Sequence, residues 1–217
     1  MEDKSFNISL TKNPKISIKA TPGHFSASNT HSNHYLDVSR LKSNAQIAQD
    51  VARELAVPYL TSTIVDAVVC MDRTTVVGAF LAEELFMHGI MVINAGSEIH
   101  VFAPMSNVNG KLVFHDSMLD RILNKNVVLL VASISSGRTL NTAMECLDYY
   151  GANLVGVSAL FLGSLHKPQR EINALFTSED IPDYKLFSPD KCEMCKSGQK
   201  LDAMVTSEGY TYLRGHK

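Results

Sequence analysis

No run of 18 apolar residues occurs anywhere in this 217-residue chain, so the sequence offers no membrane span. The opening MEDKSFNISLTKNPK has no secretory apolar region and no cleavage pattern after it, which predicts a cytoplasmic protein. Cysteine is scarce: four residues make no disulfide framework, and Cys70 and Cys146 sit in apolar segments where a buried free thiol is expected. A strong charge of either sign is also lacking, since 20 Lys and Arg face 22 Asp and Glu for a net charge of −2. Without a basic stripe or a helix-turn-helix module, nucleic acid is not an expected partner. Three catalytic signatures are missing too. Gly-x4-Gly-Lys, Gly-x-Gly-x-x-Gly and Gly-x-Ser-x-Gly do not occur, which sets aside a Walker loop, a dinucleotide turn and a hydrolase elbow. Repeats and low-complexity tracts are absent as well.

What is present is globular. Hydrophobic residues are 45% and charged residues 19% of the chain, and a chain of this length buries roughly 70% of its extended surface. Residues 1–40 are polar and turn-rich, with Pro14, Pro22, Gly23 and the alternating Ile16-Ser17-Ile18, and read as two or three short strands or loops. A helix follows, with a Ser43/Gln46 capping pattern, Ala48, Val51, Ala52 and Leu55 on one face, and Pro58 at its end. Val65–Met71 reads as a buried strand. A helix from Thr74 to His88 carries Val77, Phe80, Leu81 and Leu85, and Gly89 closes it. Ile90–Ile93 reads as a second strand, followed by strand-like pieces near His100 and Leu112 and a turn at Asn109-Gly110. The clearest unit runs from a strand at Val127–Val131 through a small-residue loop to a helix with Leu140, Ala143, Met144 and Leu147, then Gly151 and a strand from Leu154. Strand–loop–helix–strand units predict an α/β fold, an open parallel sheet with helices on both faces. The expected organisation is a 41–187 core with a small hood from segments 1–40 and 188–217. The methionines are scattered through apolar segments as core filler, and His88 caps a helix end.

Ligands of open parallel sheets sit at the carboxyl ends of the strands. Ser-Ile-Ser-Ser-Gly-Arg-Thr at 133–139 lies at such an end, just before a helix. Small side chains, outward backbone N–H groups and the helix N-terminus suit a phosphate monoester, and Ser135, Ser136, Arg138 and Thr139 add donors or charge. An ordinary helix N-cap with a glycine turn fits the same residues.

Val127–Leu140, VVLLVASISSGRTL, resembles the phosphoribosyl pyrophosphate signature of the type I phosphoribosyltransferases. The likeness is greatest to the orotate phosphoribosyltransferases. It extends to Gly23-His24-Phe25 through Ser32 and Tyr35-Leu36-Asp37, to Val65–Ala79, and to the tail Cys192-Glu193-Met194-Cys195-Lys196-Ser197-Gly198. The resemblance implies that Ser135, Ser136, Gly137, Arg138 and Thr139 hold a 5′-phosphate. It implies that Met71, Asp72, Arg73, Thr74 and Thr75 form a pyrophosphate loop, with Arg73 facing the leaving group. It further implies Mg²⁺ bound with the substrate, a small nitrogenous base as acceptor, and a homodimer.

The chain departs from that pattern. The family's acidic pair falls on Val131 and Ala132, and each lost acceptor of a ribose hydroxyl is worth on the order of 1.5–3 kcal/mol. Ser133 stands next in line as a substitute. The stretch matching a mobile Lys-rich loop offers Lys111 with His100 and His115, making Arg73, Lys111 and His115 the catalytic candidates. An N-terminal lysine of the family aligns with Ser28. An expected arginine is missing from FLGSLH, leaving Lys167 or Arg170 to fold back. Two functions follow: transfer of phosphoribose to a base, or non-catalytic sensing of a nucleotide or phosphoribosyl pyrophosphate through a protein partner. Separately, Cys192 and Cys195 have zinc-ligand spacing, and His31 and His34 would complete a four-ligand set if the two accessory segments met. A turn with two half-buried thiols fits that motif equally.

Overall fold

The computed structural model describes residues 4–87, 92–106, 111–166, 168, 170–206 and 209–213. The N-terminal segment forms three strands, β1 (Phe6–Leu10), β2 (Asn13–Ala27) and β3 (Thr30–Asp37), paired antiparallel with β2 between the others. Pro22 has no N–H for the ladder, and the β2–β3 register slips between Pro22 and Phe25. The slip re-aims the strand. Before it, Ile16 and Ile18 bury into the main core; after it, His24 and Phe25 are the buried side chains.

Helix α1 (Ser39–Ser43) leads into α2 (Ala45–Ala56), whose N-cap is Asn44. The expected cap at Ser43 is therefore displaced by one residue. Ser43 closes α1 with its hydroxyl donating to the Ser39 carbonyl, while Asn44 takes the extended conformation a cap requires and its Oδ1 accepts from Ile47 N (3.1 Å). The face Ala48, Val51, Ala52 and Leu55 is buried as expected, and Pro58 lies in the short turn that ends the helix.

The central sheet comprises β4 (Ala67–Cys70), β5 (His100–Phe102), β8 (Asn126–Ile134), β9 (Asn153–Leu162) and β10 (Asn173–Thr177), in the order β10-β9-β8-β4-β5. Every pairing is parallel. Alternation along β4 and β8 divides the core. Val68, Cys70, Val128, Leu130 and Ala132 face α2 and α3 (Thr75–Met87), while Ala67, Val69, Val127, Leu129 and Val131 face α4 (Arg138–Tyr149). Helices thus cover both faces of an open parallel sheet.

The expected strand at Ile90–Ile93 does not form over Val92 and Ile93, which lie outside the strands; Ile90 and Met91 fall outside the described residues. Asn94, almost fully buried, receives the Val65 N–H on its Oδ1 and donates to the Thr63 carbonyl, so this segment ties loops together. The strand beside β4 is β5 instead. The short hairpin β6 (Met105–Ser106) and β7 (Leu112–Val113) follows it. His88, Gly89, the Asn109-Gly110 turn and Lys167 lie outside the described residues.

The C-terminal part returns to the first sheet. There β11 (Leu186–Phe187) pairs with β3, and β12 (Ala203–Thr206) runs parallel to β2 and pairs with β13 (Gly209–Tyr212). The short helix α5 (Glu193–Lys196) lies between β11 and β12. No helix among the described residues is long and apolar enough to cross a membrane.

Candidate functional site

Strands β4 and β8 are neighbours, and their carboxyl ends open into two loops, 71–74 and 135–137. The second loop is shorter than the sequence suggests, because β8 continues to Ile134 and α4 begins at Arg138. Gly137 is its hinge. It has φ 78°, a left-handed value, and caps α4 with no side-chain hydrogen bond. A Cβ at Gly137 would meet nothing within 4 Å, so the space in front of the helix N-terminus is open. Arg138 N donates to Ser136 Oγ (3.4 Å), and the other leading N–H groups of α4 with the helix dipole give this loop an anion-binding character. The loop is held from behind, with Gly163 N donating to the Ile134 carbonyl (2.9 Å) and Leu165 N to that of Ser135 (3.1 Å). Ser135, Ser136 and Gly137 are half-buried; Arg138 and Thr139 are exposed on the first turn of α4. Arg138 also reaches the β2–β3 turn, its Nη1 donating to Asn29 Oδ1 (3.3 Å). Nothing in the sequence pattern singled out Asn29, because this contact spans 109 residues.

The 71–74 loop is bent by two consecutive non-glycine residues in the left-handed region, Asp72 (φ 52°) and Arg73 (φ 62°). Such backbone is costly and is retained where surroundings over-determine it, often at functional sites. Thr74 does much of the holding. Its side chain is fully buried, and its hydroxyl donates to the carbonyls of Met71 (2.8 Å) and Leu130 (3.2 Å). Within the expected 71–75 pyrophosphate loop, the Thr74 hydroxyl thus pins the loop to β8. Asp72, Arg73 and Thr75 are exposed, and Met71 packs against the α4-side core.

Val131 and Ala132 are buried at the end of β8 with no acidic group of their own. Asp72 reaches this place from the adjacent loop. Its Oδ2 accepts from Ala132 N (3.4 Å), and Lys42 Nζ donates to its backbone carbonyl (2.9 Å). Although Asp72 is exposed as a residue, its carboxyl turns toward the strand ends. Desolvation there raises its pKa above the ordinary carboxylate value, opposed by the Ala132 N–H and the Lys42 charge. Ser133 is exposed on the final turn of the strand beside it. Cys70, packed at the end of β4, is inert by contrast: burial pushes its thiol up to about 12.

The remaining catalytic candidates scatter. Lys111 and His115 flank β7, beside Leu112 and Phe114, which pack toward the α4-side core. His100 begins β5, at the opposite end of the sheet from the loops, within 3.8 Å of Glu98. Arg170 does not fold back over the site; its Nη1 donates to the Leu154 carbonyl near the start of β9. Ser28 sits at the turn of the β2–β3 hairpin beside Asn29.

A second constellation joins the two terminal segments. His24, His31, Cys192 and Cys195 bring one ligand atom each within 4.8 Å of one another. Cys192 and Cys195 therefore meet His31 as expected, but the fourth member is His24 and not His34. Strand geometry gives the reason. Residues 31 and 34 are an odd number apart and point to opposite faces of β3, whereas His24 is the diagonal neighbour of His31 across the hairpin, where Ser26 pairs with His31. His34 instead lies between Phe6 and Tyr184, with Nδ1 on Asn33 Oδ1 (3.0 Å). Burial lowers the pKa of both His31 and His34; the nearby His24 lowers that of His31 further, while Asp183 partly offsets the effect at His34.

No family model matches the chain. An orotate phosphoribosyltransferase of Wolinella succinogenes is 27% identical to it over 192 residues, covering 82% of this chain and 87% of that protein. Among solved structures, Leishmania donovani UMP synthase superposes with a TM-score of 0.51 at 19% identity, over 82% of this chain and 34% of the synthase. The Mycobacterium tuberculosis orotate phosphoribosyltransferase in complex with inorganic phosphate gives a TM-score of 0.46 at 13% identity, over 68% of this chain and 80% of that one.

Proposed function

We propose that this chain, which carries the type I phosphoribosyltransferase fold and is a sequence relative of an orotate phosphoribosyltransferase, transfers phosphoribose from phosphoribosyl pyrophosphate to a nitrogenous base. The observation that carries the reading is the N-terminus of α4 at left-handed Gly137, one strand away from the left-handed Asp72-Arg73 loop. A diphosphate sugar needs two anion sites, and two loops at the ends of paired strands suit that need.

In the reaction a base nitrogen forms a bond to the anomeric carbon while the bond from that carbon to the diphosphate oxygen breaks. The electron pair leaves with pyrophosphate, and the N–H proton of the base passes to solvent water. The N–H groups of α4, with Ser135, Ser136 and Thr139, hold the 5′-phosphate. Arg73 stabilises charge on the departing diphosphate. Asp72, at the end of β8, accepts from a ribose hydroxyl and does part of the work of the missing acidic pair, with exposed Ser133 beside it. These residues orient the reactants; positioning, together with charge stabilisation, is what such a site contributes. The Asp72 carboxylate also fits a hard divalent cation that takes most of its ligands from a diphosphate, so Asp72 would hold Mg²⁺ there and the ion would neutralise leaving-group charge.

The test is Mg²⁺-dependent pyrophosphate release from phosphoribosyl pyrophosphate across orotate and a panel of other bases. Gly137→Glu, which puts bulk and negative charge into the cradle, is the control. Release with one base, abolished by the control, is expected and names the acceptor. No release with any base, from protein that still binds ribose 5-phosphate, would overturn transfer and leave a binding role.

A further inference from the structure

The most concentrated unused chemistry in the molecule lies away from the phosphate loop, where the C-terminal tail crosses the N-terminal hairpin. His24 Nε2 is 3.4 Å from His31 Nδ1, 3.4 Å from Cys192 Sγ and 3.7 Å from Cys195 Sγ; Cys195 Sγ is 3.3 Å from His31 Nδ1. With Zn–N of about 2.05 Å and Zn–S of about 2.3 Å, a tetrahedron has N···N edges of ~3.3 Å and mixed N···S edges of ~3.6 Å. The four separations lie close to those edges, and all four ligand atoms fall within 4.8 Å of one another. A pair of sulfurs and a pair of nitrogens in this geometry selects zinc over magnesium or calcium, which take oxygen ligands.

The surroundings prepare the ligands. His24 Nδ1 lies 3.0 Å from the Gln199 carbonyl and 3.2 Å from that of Lys200. Carbonyls only accept, so the proton belongs on Nδ1 and the Nε2 lone pair points into the cluster, the arrangement metal-binding histidines show. His24 and Cys192 are fully buried and His31 nearly so, while Cys195 closes the outer side. Left-handed Gly198 then turns the chain, its N–H donating to the Cys195 carbonyl (3.0 Å), and Gln199 N bonds Met194 O (2.9 Å), leading the tail back to His24.

We propose that His24, His31, Cys192 and Cys195 form a closed structural zinc site that fastens the C-terminal tail to the β2–β3 hairpin. Two thiolates and two neutral imidazoles balance the dication, and both thiol protons leave on binding. All four ligand positions come from protein, so the site is a fastener with no open position for catalysis. Its placement is consequential nonetheless. Both histidines lie on the hairpin whose turn carries Asn29, the partner of Arg138 beside the phosphate loop. The inference stands whether or not the chain is a transferase.

The tag-free full chain, purified anaerobically under reducing conditions without chelator, should carry one equivalent of zinc by mass spectrometry. Exchange with cobalt(II) should give ligand-field bands of tetrahedral intensity and thiolate-to-cobalt charge transfer. His24→Gln, His31→Gln and Cys192→Ser should each lose the metal, while His34→Gln keeps a full equivalent. Should the ligand variants not fold, titrating the parent protein with a mercurial reagent replaces them. Release of one zinc as two thiols react, with loss of hydrogen-exchange protection in the 199–206 tail, supports the site. Metal-free protein that takes up neither zinc nor cobalt, a stoichiometric Cys192–Cys195 disulfide in the anaerobic preparation, or metal loss in His34→Gln overturns it.

Discussion

Asp72 shows how a single side chain alters the reading of a motif. At Val131 and Ala132 the sequence has lost two acceptors, and the chain in one dimension offers no replacement. The replacement we propose, Asp72, comes from 60 residues away, because β4 and β8 are paired and the left-handed turn at Asp72 swings its carboxyl onto Ala132 N. Such a contact depends on strand order and turn geometry, neither of which residue spacing encodes. We therefore expect Asp72→Asn to weaken phosphoribosyl pyrophosphate binding about ten- to a hundredfold, the worth of a hydrogen bond to a charged acceptor, as measured by calorimetric titration. Stability should move the other way. Desolvation holds the folded-state pKa of Asp72 above its unfolded value, so ionising it costs stability as pH rises through the carboxylate range. The asparagine variant escapes that cost. Its melting temperature relative to the parent should climb between about pH 3 and pH 6; a gap that narrows with rising pH would refute the assignment.

At the scale of elements, periodicity located most helices and buried strands, because apolar spacing and burial are the same physical fact seen twice. The amphipathic face of α2 and the strand of β8 were legible for this reason. The strand reading failed at Val92 and Ile93, where Ile93 is exposed and the neighbouring Asn94 instead bonds the Val65 N–H and the Thr63 carbonyl. The hairpin that selects His24 over His34 was illegible because a one-residue bulge at Pro22 sets its register. Helix α3 carries a different lesson. A Cβ at Gly78 would collide with Cys70 Sγ, so α3 rests closely on β4 where glycine has no side chain. Gly78→Ala should cost about 1–3 kcal/mol by overpacking, read from urea unfolding. Adding Cys70→Ala removes the colliding sulfur, while alanine favours the helix by about 1 kcal/mol over glycine. The double variant should therefore recover most of the loss, and a purely additive cycle would show that the contact is not the constraint.

At the scale of the whole molecule, the outer sheet and the central parallel sheet share a core. Ile16 and Ile18, from the strand that forms the centre of the outer sheet, are buried in one cluster with Leu41, Val51, Leu55, Leu81, Val128 and Leu160. The far end of the same strand carries Phe25 against Tyr35 and Tyr210, and its turn meets Arg138. One strand thus runs from the main core to the hairpin turn beside the 135–137 loop, and its sheet cannot detach without opening that core. Ile18→Ala should lower stability by about 2–5 kcal/mol, the cost of a large-to-small change at a fully buried site. It should do so within a single cooperative transition, with the amides of β2 and β8 exchanging at the same free energy. Ribose 5-phosphate at a hundredfold excess over its dissociation constant should add about 2.7 kcal/mol to parent and variant alike, since Ile18 lies away from the cradle. Two separated transitions, or a ligand increment that shrinks with the Ile18 change, would mean that the outer sheet folds as its own unit and reaches the phosphate loop only loosely.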